Sequence, residues 1–428
     1  MRRKFIVVLA FTLLIISAAF PAFAAETVQL QVNGDTVPTP GLYMTDDCSM
    51  VPVDTFISIV GADVNWSAND NFAVTENGVT LNLTVGKTEA LLGDKTITLP
   101  VAPAKTGDSI FIPLRAVSNA FGFTVDWDGE QWLIKLTRNE QRNGMSVSDL
   151  LTKSTVASQV YNTYSMEGLF NIDMDIQEDG KAVEQAPKNV TSKLTGQIQN
   201  DPFQVYMKQT VVPEAADNNT EAIDEAIVET YMNQDKMYIK APGQDWTVMD
   251  MPFSPEFWKQ QQDIQSDPLK AAELMKEMGI LLNFGNDMTI ANKDYYVVNA
   301  TIDMNKFMQG YPKIIAQAMQ GVPQGTASGN PADLQKQMEE LLKNATLDYN
   351  YSVLINKETM LSEIVKYDAR LIMSFENPVS EEANGAEKDN APKVMKIDMK
   401  LTGDINITDM GGAFNAPDVS AAKETSNP

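Results

Sequence analysis

Histidine is absent from the 428-residue sequence, and cysteine occurs once, as Cys48. Without an imidazole the chain can build neither a Ser-His-Asp or Cys-His nucleophile nor a zinc or copper site with histidine ligands. One cysteine allows no intrachain disulfide and no cysteine cluster for zinc or iron–sulfur. Catalysis would therefore have to depend on carboxylates, Lys, Tyr or a bound cofactor.

Positive charge is also scarce, with 33 Lys+Arg against 57 Asp+Glu and a formal net charge of −24. A chain this acidic repels phosphates, which argues against nucleic acid and anionic membrane surfaces as partners. Carboxylate pairs such as Glu339/Glu340 and Asp173/Asp175 are interpreted as solvated surface. The 43% hydrophobic fraction suffices for buried cores, and at about 100–200 residues per domain the length predicts two or three domains.

The first residues have the pattern of an export signal. Residues 1–4 (MRRK) are cationic, residues 5–20 form an almost unbroken apolar run, and residues 21–24 (PAFA) match a signal peptidase site. We predict a signal peptide over residues 1–24 and an extracellular or cell-envelope location. The alternative is an uncleaved anchor, although the run is shorter than the ~20 residues that a bilayer core needs.

An internal repeat with an offset of 61 residues defines the first domain, residues 25–138. Each unit is predicted to contain a strand ending at proline, an amphipathic helix (54–60 and 114–121), a glycine that ends the helix, and a strand through tryptophan. The matching pairs are Pro52/Pro113, Gly61/Gly122, Val64/Val125 and Trp66/Trp127. This pattern predicts a small α+β module built from two repeats.

Residues 111–117 (FIPLRAV) and 121–128 (FGFTVDWD) resemble the copper amine oxidase N-terminal-like domain of exported bacterial proteins. The first repeat departs from the pattern, with Asp54 where the second has Arg115. The resemblance implies a non-catalytic module with no agreed ligand. We interpret it as an envelope adaptor, with a cell-wall or envelope component as its partner.

A polar linker, residues 139–147, precedes the second domain, residues 148–417. Segments with two-residue alternation, such as Phe170, Ile172, Met174 and Ile176, predict antiparallel sheets with one solvated face. Helices are predicted at 255–278, at 304–319 and from Asn330 onwards. Residues 320–329 are interpreted as a flexible connector where a lid could hinge, and residues 418–428 as a disordered tail.

This order of elements resembles the LolA/LppX-type lipoprotein-carrier fold, and more closely an uncharacterised family of bacterial envelope proteins within that superfamily. The strand motifs at 164–168, 202–208, 237–240 and 295–298 carry the resemblance. It implies an α+β fold in which a strongly curved antiparallel sheet, a half-barrel, clasps inserted helices. It also implies that acyl chains or other lipid moieties bind between sheet and helices.

Methionine is the one compositional indication of a ligand, since 19 of the 23 methionines lie from Met166 onwards. Thioether side chains adapt to irregular apolar partners, which suits a cavity for flexible acyl chains. Our hypothesis is that the sheet face bearing Met174, Met207, Met373 and Met399 holds a hydrophobic ligand. The alternative is an ordinary core that uses methionine as filler, and the scattered Tyr and Trp residues are likewise interpreted as core.

Three functions remain open. The leading one is a secreted, non-catalytic protein that binds a lipid or other hydrophobic molecule, without metal or cofactor. The second is a structural or sensory envelope protein that acts through protein–protein contacts with no small ligand. The third is a carboxylate-based hydrolase, for which no motif orders the residues.

Overall fold

The computed structural model describes residues 28–37, 41–45, 47–67, 70–107, 109–129, 131–183, 188–213, 225–250, 274, 279–302, 345–376 and 394–424. The predicted signal peptide and the connector 320–329 lie outside these residues. The three predicted helical stretches of the second domain also lie outside them, apart from Leu274.

Short strands and two helices form the N-terminal domain. They are β1 (Gln29–Val32), β2 (Asp35–Val37), β3 (Tyr43–Thr45), β4 (Cys48–Pro52), α1 (Val53–Val60), β5 (Asp63–Trp66), β6 (Asn71–Glu76), β7 (Val79–Thr84), β8 (Glu89–Leu92), β9 (Lys95–Thr98), β10 (Ala104–Thr106), β11 (Ser109–Pro113), α2 (Leu114–Ala120), β12 (Thr124–Asp128) and β13 (Leu133–Thr137). Each repeat unit of the sequence thus has the order strand, helix, strand.

The strands join in three sheets, ordered β12–β13–β1–β2, β10–β11–β4–β3 and β5–β6–β7–β8–β9. Strands β4 and β11 pair antiparallel, with Ile112 opposite Val51, so the two units are joined directly. Helix α1 ends at Gly61, whose φ of +75° is a left-handed conformation that glycine adopts without strain. The helices bury Phe56, Ile59, Leu114 and Val117 in one core.

The second domain contains one helix and fourteen strands within the described ranges. They are α3 (Val147–Ser158), β14 (Thr163–Glu178), β15 (Lys181–Ala182), β16 (Asn189–Gln199), β17 (Gln204–Pro213), β18 (Ala226–Asn233), β19 (Lys236–Lys240), β20 (Thr247–Asp250), β21 (Ile280–Phe284), β22 (Met288–Ile290), β23 (Lys293–Ile302), β24 (Ala345–Asn356), β25 (Ser362–Glu376), β26 (Val394–Thr408) and β27 (Lys423–Glu424). No helix of the described residues has both the length and the apolar character needed to cross a membrane.

All fourteen strands belong to one sheet that forms a half-barrel, as the curved-sheet prediction expected. Its order is β21–β23–β24–β25–β26–β14–β16–β17–β18–β19–β20–β27, with β15 on β14 and β22 on β23. Strand β26 lies between β25 and β14, so it joins the two halves of the sheet. Among the pairings of this sheet, β20 with β27 is parallel, and the long strands pair antiparallel.

Helix α3 starts at a capping box. The Ser146 hydroxyl accepts the Asp149 N–H, and the Asp149 carboxylate accepts the Ser146 N–H at 3.0 Å. The Asp149 carboxylate also accepts the Ser146 hydroxyl at 2.7 Å, and the two hydrogen bonds to the carboxylate lower the pKa of Asp149, because they favour its charged form. The helix packs Leu150 and Leu151 on Phe284, Tyr296 and Val298, which closes the sheet at the β21–β23 end.

The two domains share a tight junction. Strand β21 is the edge of the large sheet, and its Leu281 side chain belongs to the core of the N-terminal domain. The buried Asn283 amide donates to Ile59 O at 2.8 Å, and the Thr301 hydroxyl donates to Ser58 O at 2.9 Å. Helix α1 therefore satisfies polar groups beside an edge strand that would otherwise be open to another chain.

Ion pairs cross the predicted linker. Arg138 donates to both carboxylate oxygens of Glu76 at 2.9 Å and to Glu140 at 2.6 Å. Glu140 also pairs with Arg142, which contacts Asp287 of the second domain at 3.2 Å. These side chains are buried or nearly so; that of Glu76 is 3% exposed. The linker is thus an ordered connection rather than a solvated spacer.

The burial of Glu76 leads us to predict that the free energy of unfolding depends on pH. Burial raises its pKa above the usual 4.5, although Arg138 opposes the shift. A raised folded-state pKa gives a stability contribution that is complete below the unfolded pKa and is lost as the pH rises through the folded pKa. We expect Glu76→Gln to gain stability relative to wild type as the pH increases from about 4 to 7. Urea unfolding across that range tests this; a difference independent of pH would contradict it.

Residues 418–424 correct part of one prediction, the disordered tail at residues 418–428, of which residues 425–428 lie outside the described residues. Residues 423–424 form β27 on β20, and Lys423 N–H donates to Trp246 O at 3.0 Å. The Lys423 ammonium also pairs with Asp245 at 2.8 Å. Backbone hydrogen bonds and an ion pair thus hold a segment that has few apolar residues.

Candidate functional site

One face of the half-barrel is apolar across its central strands. This apolar face consists of every second residue of β14 from Met166 to Ile176, β16 from Val190 to Ile198, β26 from Ile397 to Ile407, β25 from Val365 to Met373 and β24 from Tyr349 to Ile355. None of these positions holds Asp, Glu, Lys or Arg. The opposite face carries the charges, among them the bidentate pair of Arg370 with Asp398.

All four methionines of the ligand hypothesis lie on the same side of the sheet, but three are together on the apolar face and Met207 is apart on the neighbouring strand β17. Met174 is directly opposite Met399, and Met373 is opposite Ile397, in a buried cluster with Leu371. Met207 lies opposite Gly196 of β16, which in turn lies opposite Met166 of β14. Met207 is therefore level with Met166 and not with Met174. Met166 is eight residues from Met174, roughly 26 Å along the strand. A single contact site for all four is therefore excluded, whereas a shared surface remains.

A cluster of three tyrosines lies on β24 and β25, at one side of the apolar face. Tyr351 is directly opposite Tyr367, and Tyr349 follows two residues from Tyr351 on the same strand. The three ring centroids are 6.0 to 6.4 Å apart, and the Phe170 ring is 5.9 Å from Tyr367. The sequence-based interpretation of tyrosines as scattered core missed this cluster. The spacing of Tyr349 and Tyr351 places both side chains on one face, but only the strand register shows that Tyr367 lies beside them.

Small residues surround these rings. The residue opposite Tyr351 on β23 is Ala300, the one opposite Tyr349 is Ala369, and the one opposite Tyr367 on β26 is Gly403. A side chain at Gly403 would clash with Leu169 O and with the Phe170 ring. Large side chains therefore alternate with small ones along this row, and the Phe170 ring occupies the space beside Gly403.

The tyrosine hydroxyls are half-buried and neutral. Burial raises the pKa of Tyr351 to about 12 and also raises the pKa values of Tyr349 and Tyr367. The cause is that an apolar environment disfavours the phenolate. At neutral pH each hydroxyl is therefore a proton donor.

Neighbouring polar groups on this face have partners. The Tyr296 hydroxyl accepts the Asn143 amide at 2.5 Å, Gln209 donates to the Ser192 hydroxyl at 2.9 Å, and Ser362 is 2.8 Å from Ser154 of α3. The hydroxyls of Tyr349, Tyr351 and Tyr367 form no hydrogen bond within the described residues.

The N-terminal domain offers a different concave surface. An open hollow of about 400 Å³ lies on the β5–β9 sheet, lined by residues that include Asn71, Asn82, Thr84, Leu91 and Thr96. Three tryptophans of this domain are about half exposed rather than core as predicted: Trp66, Trp127 and Trp132. In the part of the chain that the structure describes, no three His, Cys, Asp or Glu side chains are placed to hold a metal ion.

Two families match the chain. Residues 31–136 match the copper amine oxidase N-terminal domain, which confirms the resemblance of the first domain. Residues 146–384 match DUF6612, a family of unknown function. The sheet extends beyond this second match, because β26 at Val394–Thr408 completes it. No curated protein is significantly similar to the chain.

Solved structures similar to this chain include a lipoprotein, a DUF1329 protein and a domain described as an outer membrane lipoprotein-sorting protein. The lipoprotein LppX of Mycobacterium tuberculosis aligns with 64% of this chain and 100% of its own, at 10% identity and a TM-score of 0.27. A DUF1329 protein from Desulfovibrio piger aligns with 64% and 97%, at 11% identity and a TM-score of 0.22. A domain described as an outer membrane lipoprotein-sorting protein, from Vibrio parahaemolyticus, aligns with 63% and 94%, at 8% identity and a TM-score of 0.21.

Proposed function

We propose a function from the geometry of the chain itself, because the chain belongs to the DUF6612 family, whose function is unknown. The proposal is that it is a non-catalytic envelope protein that binds a lipid or other hydrophobic molecule on the apolar face. The observation that carries this proposal is the separation of the two faces of the half-barrel. One face is uncharged over five neighbouring strands, and the other bears the acidic and basic side chains.

The composition of the apolar face supports a ligand of adaptable shape. Met174 and Met399 are buried in one cluster with Leu371, and Met373 packs against that cluster. Unbranched thioether chains can repack around an irregular apolar partner. The tyrosine cluster on the same face is half-buried. The face therefore combines an apolar surface with a few polar groups, the composition typical of ligand sites.

The N-terminal domain is proposed to be the adaptor that places the half-barrel in the envelope. Its two units are proposed to be copies of one strand–helix–strand repeat. We also propose export through the signal peptide at residues 1–24. The buried contacts of Asn283 and Thr301 with α1 support a fixed arrangement of the two domains, so a component bound to the first would hold the second in place.

The experiment compares neighbouring substitutions on the two faces. Met373→Glu puts a carboxylate on the apolar face, whereas Ser374→Glu puts one on the charged face opposite Lys396. We expect Met373→Glu to weaken binding of the apolar dye N-phenyl-1-naphthylamine at least ~10-fold, because burying an unpaired charge is costly. Ser374→Glu should bind within about 2-fold of wild type, a change below 1 kcal/mol.

Mass spectrometry of extracts from gently purified protein provides the second measurement. Wild type is expected to contain co-purified lipid, and Met373→Glu to contain less. A wild-type protein that neither carries lipid nor binds the dye would refute the proposal and favour the structural or sensory alternative. Equal dye binding by the two glutamate variants would show that the ligand is not on the apolar face.

A further inference from the structure

Three tyrosine hydroxyls on the apolar face have no hydrogen-bond partner among the residues that the structure describes. Tyr349, Tyr351 and Tyr367 form a triangle with ring centroids 6.0 to 6.4 Å apart. The polar pairs Tyr296–Asn143 and Ser192–Gln209 on the same face are complete without a ligand. None of the three tyrosine hydroxyls is fully buried, because Ser118 Oγ is the one side-chain polar atom of the described residues that is buried without a partner. A ligand that covered these hydroxyls would have to accept their hydrogen bonds, since a hydroxyl removed from water without a partner costs free energy.

Resting on the proposed function, we propose that these three tyrosine hydroxyls form the headgroup site of the apolar face and donate hydrogen bonds to the carbonyl oxygens of an uncharged acyl ester, of the glyceride type. Neutral phenols can donate to an ester carbonyl without any charged group nearby. The three rings provide apolar contact for the carbon atoms that flank the ester.

The absence of charge on the apolar face decides between neutral and anionic lipids. The face holds no Lys or Arg from Tyr349–Ile355 on β24 across to Val190–Ile198 on β16. A carboxylate or phosphate buried against these strands would lose its hydration with no cation from their apolar side to compensate it. An ester carbonyl carries no net charge, and one or two phenol donors satisfy it.

The direction of the acyl chains follows from what closes each end. Helix α3 covers the face beyond the tyrosines on the β23 side, where Leu151 packs with Val353 and Tyr296. On the other side the face continues from Phe170 to Met174, four residues or roughly 13 Å along β14. The acyl chains would therefore extend from the tyrosine cluster towards Met174, Met373 and Met399, the methionines that the sequence had singled out.

The test is the triple variant Tyr349→Phe/Tyr351→Phe/Tyr367→Phe, which removes three hydroxyls and keeps the rings. Tyr238→Phe is the matched control, because Tyr238 pairs with Tyr231 away from the apolar face. Monopalmitoylglycerol and palmitate are titrated as competitors of bound N-phenyl-1-naphthylamine. For wild type we expect the neutral ester to compete at least ~10-fold better than palmitate. In the triple variant its potency should fall ~10-fold or more, with dye binding within about 2-fold of wild type.

The outcomes separate this inference from the function on which it rests. If the dye does not bind wild type, both fail. If the dye binds, but the ester competes equally well with wild type, the control and the triple variant, the headgroup site is wrong and the apolar face stands. If palmitate competes as well as the ester, the preference for an uncharged ligand is wrong. Circular dichroism and a thermal melt check that the triple variant folds; if it does not, the single Tyr351→Phe and Tyr367→Phe variants are titrated in its place.

Discussion

Replacing Arg138 with alanine is expected to lower the free energy of unfolding by about 3–5 kcal/mol, the usual cost of leaving a buried charge without its partner. Arg138 holds both oxygens of Glu76, and the side chains of the pair are 15% and 3% exposed. The same guanidinium donates to Phe121 O at 2.8 Å and to Glu140. The substitution therefore removes donors from two carboxylates and one carbonyl at once.

Urea unfolding followed by tryptophan fluorescence measures this loss, since Trp66, Trp127 and Trp132 belong to the N-terminal domain. Lys135→Ala is the control, because its ion pair with Asp128 is 39% and 28% exposed and such pairs contribute at most about 1 kcal/mol. The double variant Arg138→Ala/Glu76→Gln should regain part of the loss, since no charge is then left unpaired at position 76. A loss below about 1 kcal/mol for Arg138→Ala would show that the pair is not desolvated.

Gly61→Ala is the second substitution with a large expected effect, and Gly122→Ala is its matched control. Both glycines follow a helix in the repeat, with φ values of +75° and +80°. Alanine in this conformation costs about 1–2 kcal/mol. A Cβ at Gly61 would in addition clash with Phe284 O of β21 and approach Asn299 Nδ2 to 3.3 Å, whereas at Gly122 the nearest atom is Arg138 Cδ at 4.0 Å.

We therefore expect Gly122→Ala to lose only the conformational cost and Gly61→Ala to lose at least ~2 kcal/mol more, because the two domains must separate to relieve a backbone clash. Hydrogen exchange supplies the local measurement. Amides of β21 should exchange faster in Gly61→Ala and at the wild-type rate in Gly122→Ala. Equal behaviour of the two variants would contradict the docking of α1 on the edge of the large sheet.

Alternation in the sequence predicted the faces of the sheet well. Residues 170, 172, 174 and 176 share a face, and antiparallel pairing brings Met399 opposite Met174. This succeeded because side chains in a strand point alternately to opposite sides, so the pattern of polar and apolar residues reports the face directly. The α+β module with strand–helix–strand units could be predicted for a similar reason, since proline and glycine mark the ends of its helices.

The register of the strands and the contacts between the two domains could not be predicted in this way. Nothing in the spacing of Tyr367 relates it to Tyr351, which lies sixteen residues earlier on the neighbouring strand, because pairing depends on where the turn falls. Likewise, Gly61 and Gly122 look equivalent in the repeat, yet only Gly61 meets the second domain. The three exposed tryptophans were interpreted as core, since hydrophobicity alone does not tell which strand ends remain open to solvent.

By itself, the sequence excluded histidine chemistry, indicated an acidic chain of two domains, and separated apolar from charged positions along each strand. These are properties of residue type and local period, which need no knowledge of distant contacts. The tertiary structure decided that Met207 lies apart from the other three methionines, that three tyrosines meet, and that the edge of the large sheet docks on α1. Those results depend on pairing between residues far apart in the chain, and only the packed structure selects among the many pairings that the same local pattern permits.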